Sequence, residues 1–238
     1  MVDYTKLFNS SAEIAQERAD VVQSIFRSVY GWMTVGLAVS GVSAWLTYST
    51  GFYETILKTP LFWVCLIAEF ALVIGLSAGI RKLSAGAASL FFLLYSAVNG
   101  LTLSSIFIIY TRTSIQSIFF ITAAMFGGLA VFGSVTKKDL SGIGSVCGMA
   151  LWGIVLVLLV NLFFSSARVD WAISLVGIVV FSGLTLWDAQ KIRILANLAS
   201  EQGNSVEIRK ASIIGALQLY LDFINLFLML LRVLGRRK

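Results

Sequence analysis

The sequence predicts an all-α integral membrane protein with seven transmembrane helices. Hydrophobic residues make up 58% of the 238 residues, whereas charged residues make up only 13%. A soluble domain carries charge on roughly a quarter of its residues. Five long stretches contain no charged residue, and two more contain a single one. Most of the chain is therefore expected to face lipid, which excludes a soluble enzyme, a disordered chain and a disulfide-rich secreted domain.

The length of these seven stretches indicates helices. In hydrocarbon every backbone polar group needs a partner inside the protein, and a helix of about 20 apolar residues crosses the bilayer. A transmembrane barrel would need short segments of alternating hydrophobicity, which the sequence lacks. The predicted spans are residues 28–50, 60–80, 86–110, 114–135, 142–165, 171–190 and 212–233.

The N-terminal residues 1–27 are polar and of mixed charge, and we expect them to form a cytoplasmic arm. An amphipathic helix around Ile14 to Phe26 would fit this segment. The transmembrane domain then comprises residues 28–238. The first apolar stretch is too long and too far from the N-terminus for a cleavable signal peptide, so it is predicted to remain as the first span.

The second and third spans each carry polar groups. The second follows Pro60 and contains one acid, Glu69. In the third, Tyr95, Asn99 and Thr102 recur at helical spacing and form a polar ridge. The fourth and fifth spans carry no charge. In the fifth, Gly144 stands four residues before Gly148, a spacing that lets helices approach closely.

The sixth span ends in a second polar ridge. Ser182, Thr185, Asp188 and Lys191 recur every three residues. Asp188 could also be a simple interfacial residue near the basic groups that follow it. Residues 189–210 are then expected to form the only long loop.

The seventh span carries the third polar ridge. Gln218, Asp222, Asn225 and Arg232 share one helix face, and Asp222 lies midway along the apolar stretch. An ionised side chain at the bilayer centre costs about 2.5–3.5 kcal/mol on insertion scales, so an acid at that depth indicates a functional site.

The three ridges suggest a hydrated path through the bundle. An alternative is that these polar groups form only interhelical hydrogen bonds that hold the bundle together. The candidate site residues are the acids Asp188 and Asp222, and the candidate path-lining residues are Glu69, Gln218, Asn225, Asn99 and Thr185.

The distribution of Lys and Arg predicts a cytoplasmic N-terminus. Eleven of the 18 basic residues lie in the arm and in the loops on its side, three lie in the opposite loops, and four follow the last span. Seven full crossings would put the C-terminus outside, whereas a re-entrant last segment would keep it inside. The side of the C-terminus therefore remains open at this point.

The last predicted span contains the run LYLDFINLFLMLLR at residues 219–232. Other segments accompany it, namely YGWMTVGL at 30–37, RKLSAG at 81–86, LYSAVNGLTLSSIFIIY at 94–110 and TKKDLSG at 136–142. From about residue 28 to the C-terminus, the chain resembles the Bax inhibitor-1 (transmembrane BAX inhibitor motif) family, and in particular its branch in the bacterial inner membrane.

The resemblance implies a fold in which the last helix is central and is surrounded by the other six. It also implies a calcium leak that is controlled by pH through two aspartates, which match Asp188 and Asp222. The family's counter-ion to this pair matches Arg81, at the end of the second span. These implications make the protein a multi-pass inner-membrane protein whose transported ion is calcium or another cation.

Elementary electrostatics makes this mechanism reasonable. Two adjacent carboxylates in a medium of low dielectric constant do not both ionise easily, so we expect Asp188 and Asp222 to share a proton. When both are ionised they repel each other and offer hard oxygen ligands that suit calcium. The sequence has no His, so pH sensing near neutrality would fall mainly on carboxyl groups.

Two other functions are alternatives to the leak channel. The protein could be a non-conducting regulator of other membrane proteins, such as quality-control proteases, with the arm as a docking segment. An intramembrane aspartyl protease would place a GxGD-type motif before one aspartate, and neither Asp188 nor Asp222 follows such a motif.

We expect no enzymatic activity and no cofactor, because the sequence has no nucleotide-binding loop, nucleophile elbow or metal motif. The basic residues form no single face, so no nucleic-acid partner is expected. The expected partners are the lipid bilayer, calcium or other cations, and other membrane proteins.

Overall fold

The computed structural model describes residues 4–80, 82–202 and 205–238, with side chains described at 16–80, 82–161, 163–200 and 206–238. Apart from an isolated bridge between Tyr110 and Arg237, the regular structure in these ranges is helical. The helices are α1 (Tyr4–Ser49), α2 (Phe52–Lys58), α3 (Leu61–Gly79), α4 (Ala85–Leu103), α5 (Ile106–Ile109), α6 (Arg112–Val135), α7 (Ser141–Phe164), α8 (Ala167–Gln202) and α9 (Ser205–Leu234).

Seven helical segments in the described ranges are long and apolar enough to cross a membrane. They belong to α1, α3, α4 with α5, α6, α7, α8 and α9, and the short helix α2 lies in the connection after the first span. The prediction of an all-α membrane protein with seven transmembrane helices is confirmed.

The last helix is the centre of the bundle. In the apolar segment of α9, 72% of the residues are buried, whereas only 11% are buried in the apolar segments of α3 and of α7. Leu219, Tyr220 and Leu226 have no exposed surface. The outer helices instead turn large apolar side chains outwards, such as Trp152 and Phe163, as expected where lipid is the solvent.

The first helix is longer than the first predicted span. It runs without interruption from Tyr4 to Ser49, so the boundary predicted at residues 27 and 28 lies within one continuous helix. At 46 residues its length is about 69 Å, more than twice the roughly 30 Å of hydrocarbon. One end of α1 therefore projects well beyond the membrane.

The prediction of a long loop at residues 189–210 is wrong, because most of these residues are helical. Helix α8 continues to Gln202 and α9 begins at Ser205. The apolar side chains Ile192 and Ala196 of α8 and Ile213 of α9 are buried in the common core. Burial of these residues stabilises helix beyond the membrane, where the surrounding charges suggested a loop.

The position of the C-terminus follows from α9 and its tail. Helix α9 has no break, and beyond it the Thr111 amide donates to the Arg236 carbonyl at 3.0 Å, while the Lys238 amide donates to the Ile109 carbonyl at 3.0 Å. The Lys238 ammonium also lies 5.5 Å from the ring centre of Tyr48, near the end of α1. The C-terminus thus lies at the opposite end of the bundle from the start of α1, and α9 is a full crossing.

Two glycines permit close contacts between helices. A Cβ at Gly100 of α4 would collide with the Ser40 carbonyl oxygen of α1, and one at Gly144 of α7 would collide with the Trp187 ring of α8. Gly148, the partner of Gly144 in the predicted motif, faces open space instead. Only one end of that motif is used for packing.

Candidate functional site

The structure brings Asp188 and Asp222 together. The neighbouring helices α8 and α9 carry them, and both side chains are buried, with 8% and 5% of their surfaces exposed. The two carboxyl groups lie side by side and interact directly. Two acids from different helices thus form one pair at the contact between α8 and the central helix α9.

Several oxygens at this pair have no hydrogen-bond partner among the described residues. They are Asp188 Oδ1, Asp222 Oδ2 and Gln218 Oε1, one turn before Asp222. A buried polar atom without a partner costs about 1–3 kcal/mol, so native structures rarely keep one without a reason. Unpartnered oxygens on both members of a carboxyl pair are suited to a proton, a water molecule or a cation.

Among the described residues, Lys191 is the positively charged neighbour of this pair. It lies one turn after Asp188 on α8, and its charge acts on both aspartates. Its ammonium group is 4.9 Å from the centre of the Trp187 ring. From the sequence, Lys191 was predicted only as part of a polar ridge, although its spacing of three residues from Asp188 indicates that the two side chains are neighbours. The predicted counter-ion, Arg81, lies outside the described residues.

Glu69 belongs to a second polar centre. Its Oε1 accepts a hydrogen bond of 2.7 Å from the Thr102 hydroxyl, and its Oε2 accepts one of 3.3 Å from Asn99 Nδ2. Asn99 Oδ1 in turn accepts a bond of 2.9 Å from the Tyr220 hydroxyl, which is 2.6 Å from the Ser40 hydroxyl. This network joins α3, α4, α9 and α1.

Tyr220 and Ser40 were not among the site residues predicted from the sequence. Both residues stand among apolar neighbours, so neither interrupts the hydrophobic pattern. The usable signal was chemical, because the hydroxyl of a buried tyrosine normally finds a hydrogen-bond partner. Tyr220 is completely buried and finds two.

A cavity of about 590 Å³ lies beside the second centre, between α3, α4, α5 and α9. Apolar side chains form most of its wall. The polar and charged side chains that line it include Glu69, Asn99, Thr102, Asn225 and Arg232.

The predicted path-lining residues therefore separate into two groups. Glu69, Asn99 and Asn225 line this cavity, whereas Gln218 lies on the face of Asp222. Thr185 is fully buried, and its hydroxyl donates to the Phe181 carbonyl of its own helix at 2.7 Å. In an α-helix, residues two apart point in directions about 200° apart. Tyr220 and Asp222 accordingly point to opposite sides of α9, whereas Asn225 shares the face of Asp222 and lines the cavity.

The aspartate pair on its own does not resemble a storage site for calcium. Ca²⁺ takes 6–8 oxygen ligands, and the described residues contain no group of three or more His, Cys, Asp or Glu that could hold a metal ion. An ion held by these two acids alone would keep much of its water.

Comparison with known proteins agrees with this architecture. The family model described as inhibitor of apoptosis-promoting Bax1 matches residues 22–238. Inner membrane protein YbhL of Escherichia coli (strain K12) is 50% identical over 233 residues, covering 97% of this chain and 99% of the relative.

Other bacterial relatives extend the likeness. A protein of Borreliella burgdorferi (strain ATCC 35210) is 40% identical over 231 residues, which cover 95% of this chain and 98% of its own length. The protein RP147 of Rickettsia prowazekii (strain Madrid E) is 36% identical over 239 residues, and both chains are covered completely. The chain therefore belongs to the Bax inhibitor-1 family of membrane proteins.

Proposed function

We propose that this protein is a pH-sensitive leak channel for cations, including calcium, and that the Asp188–Asp222 pair is its gate. The observation that carries the proposal is the buried contact between the two carboxyl groups, with oxygens left unpartnered on both. A single shared proton would hold such a pair together, and its loss would create two like charges in a medium of low dielectric constant.

The charges around the pair define the two states of the gate. Lys191 balances one negative charge, so a pair that holds one proton is close to neutral with its neighbour. Loss of that proton leaves two carboxylates against one ammonium, and the excess repulsion favours separation of α8 from α9. The separated carboxylates then offer hard oxygen ligands to a passing calcium ion.

Glu69 would act as a second station on the ion path. It lies at a cavity that also contains the amides of Asn99 and Asn225, and these oxygens can replace part of an ion's water shell. Of the predicted path-lining residues, Thr185 contributes to helix packing instead, since its hydroxyl is used within α8.

The proposed setting is the bacterial inner membrane, with the N-terminus in the cytoplasm. The name of the Escherichia coli relative supports the location, and the excess of Lys and Arg at one end of the bundle supports the orientation. Calcium is the transported ion in this proposal, and neither a cofactor nor an enzymatic activity is part of it.

Calcium flux into proteoliposomes tests the proposal. We expect the double variant Asp188→Asn, Asp222→Asn to lose the pH-dependent flux, because neither amide can ionise. Glu54→Gln is the matched control, since Glu54 is an exposed acid of α2 outside the membrane spans, paired with Lys58 at 2.6 Å. Equal flux from the wild type and the double variant at every pH would overturn the proposal.

A second candidate function is regulation of other membrane proteins without conduction. The projecting end of α1 favours it, because a helix about 69 Å long offers a docking surface beyond the bilayer. Deletion of residues 2–20 separates the two functions. A leak channel would keep its calcium flux after the deletion, whereas a regulator would lose its cross-linked membrane partners and would show no flux with or without the arm.

A further inference from the structure

A groove runs along the lipid-facing side of the bundle between α1 and α6. Its volume is about 520 Å³. Phe26 and Tyr30 of α1 form one side, Gly127 and Val131 of α6 form the other, and Phe223 of the central helix lies at the floor. The groove is therefore a gap in the outer ring of helices that reaches α9.

The walls of this groove are apolar although they contain hydroxyl groups. The Thr34 hydroxyl donates to the Tyr30 carbonyl at 2.8 Å, and the Ser134 hydroxyl donates to the Val131 carbonyl at 2.9 Å. The hydroxyls of Thr34 and Ser134 thus bond to the backbones of their own helices, and the third hydroxyl of the lining is the phenol of Tyr30. The groove presents hydrocarbon surface, and it lies within two membrane-spanning segments.

The length of the groove corresponds to one leaflet of a bilayer. Its lining on α6 runs from Ala123 to Val135, which is about 18 Å along the helix axis. One leaflet contributes about 15 Å to the hydrocarbon core. The groove also ends where α6 ends, at the level where lipid headgroups begin.

The size of the groove favours a lipid chain over a helix. A transmembrane helix about 10 Å wide would fill about 1,400 Å³ over a length of about 18 Å. The groove offers about 520 Å³. A single file of methylene groups fits into that space, whereas a helix of a partner protein or of a second copy would remain largely outside it.

A positive charge lies at the headgroup end of the groove. The Arg193 guanidinium of α8 donates to the carbonyl of Ser134, a lining residue, at 2.9 Å. This bond uses one of five donors and leaves others available for a phosphate, which matches the planar guanidinium geometry. On α1, the exposed Arg27 lies one turn before Tyr30 on the same end of the groove.

We propose that this groove binds one acyl chain of a phospholipid whose phosphate contacts Arg193. The lipid closes the gap between α1 and α6 and covers Phe223, the neighbour of Asp222 in the central helix. The bound lipid is then a component of the bundle wall and not part of the freely exchanging lipid shell. This binding site is independent of whether the protein conducts ions.

Gly127 and Gly128 provide a matched pair of variants. A Cβ at either position would meet no atom within 4 Å, so a side chain can begin at both without a backbone clash. Gly127 lines the groove, whereas Gly128 is exposed on the neighbouring lipid-facing surface. Gly127→Phe fills the groove, and Gly128→Phe adds the same ring outside it.

Native mass spectrometry with added phosphatidylglycerol measures the binding. We expect one retained phosphatidylglycerol on the wild type and on Gly128→Phe, and none on Gly127→Phe. Arg193→Gln keeps a donor for the Ser134 carbonyl but loses the charge, and we expect it to bind about tenfold more weakly, as for loss of a charged hydrogen bond. Diacylglycerol, which has the chains without the phosphate, should bind the wild type as weakly as phosphatidylglycerol binds Arg193→Gln.

Several results would overturn the proposal. One is equal lipid retention by Gly127→Phe and Gly128→Phe. Another is a change in the number of protein copies in Gly127→Phe with unchanged lipid, which would mean that a second copy occupies the groove. If Gly127→Phe fails to fold, Arg193→Gln decides the question, and undiminished binding of phosphatidylglycerol to that variant would reject the site.

Discussion

The hydroxyl of Tyr220 donates a hydrogen bond of 2.9 Å to the amide oxygen of Asn99, which ties the central helix α9 to α4. The Tyr220 hydroxyl also lies 2.6 Å from the Ser40 hydroxyl of α1. The side-chain amide of Asn99 in turn donates a hydrogen bond to the Glu69 carboxylate of α3. One chain of hydrogen bonds therefore crosses the bundle from α1 to α3 and fixes the rotation of α9, on which Asp222 also lies.

Tyr220→Phe tests the importance of this chain for stability. The variant keeps the ring but leaves the Asn99 amide oxygen without its buried donor, which costs about 1–3 kcal/mol. We expect a lower Tm in detergent micelles. Tyr48→Phe is the control, because it keeps the ring stacked on Tyr53 at 5.5 Å near the end of the bundle. Equal Tm values for the two variants would contradict the prediction.

The pH dependence of calcium flux tests the gate. In the proposed gate, protonation joins Asp188 to Asp222 and ionisation separates them, so flux should rise as the pH of the proteoliposome buffer increases from 6 to 8. Asp222→Asn should flatten the profile, because one carboxyl group alone has no like-charged partner. A profile that falls with increasing pH, or a variant with the wild-type profile, would refute this gate.

The course of α9 makes a prediction about topology. Because α9 crosses the bundle completely, a reporter at the N-terminus and one after Lys238 should lie on opposite sides of the membrane. With the N-terminus in the cytoplasm, alkaline phosphatase fused to the C-terminus should be active, and the same enzyme fused to the N-terminus should be inactive. Activity, or inactivity, of both fusions would show that the chain crosses an even number of times.

Gly100→Ala tests the contact between α4 and α1. The new methyl group would collide with the Ser40 carbonyl oxygen and the Ser43 side chain, and such overpacking costs about 1–3 kcal/mol. Gly41→Ala is the control on the opposing helix, since a Cβ there meets nothing within 4 Å. Thermal unfolding should show a lower Tm for Gly100→Ala alone, and tolerance of both changes would mean that the two helices are not packed this closely.

The charge pattern predicted the membrane spans well but misjudged what lies beyond them. Lys191, Arg193 and the charges that follow suggested a loop after the sixth span. Ile192 and Ala196 are four residues apart and lie on one face of the continued helix. This face is buried only because α9 packs against it, and that burial stabilises the helix. Helix outside the membrane depends on tertiary contacts, which a charge count does not contain.

The site was predictable in part for a related reason. Asp188 and Asp222 stood out because an acid in an apolar stretch is rare, and the resemblance to the family paired them. Tyr220 and Ser40 are neutral, so they do not stand out in an apolar stretch as an acid does. Their role depends on which side chains face one another across α9, α1 and α4, and this depends on the rotation of each helix.

The sequence by itself determined that the chain crosses the membrane seven times and that three acids lie in its apolar stretches. Both conclusions follow from the free energy of transferring each segment from water into the bilayer, which depends on the residues of that segment alone. Only the tertiary structure decided that Asp188 meets Asp222, that Glu69 instead bonds to Asn99 and Thr102, and that the C-terminus lies opposite the start of α1. These outcomes depend on which helix faces pack together, and that is a property of the whole bundle.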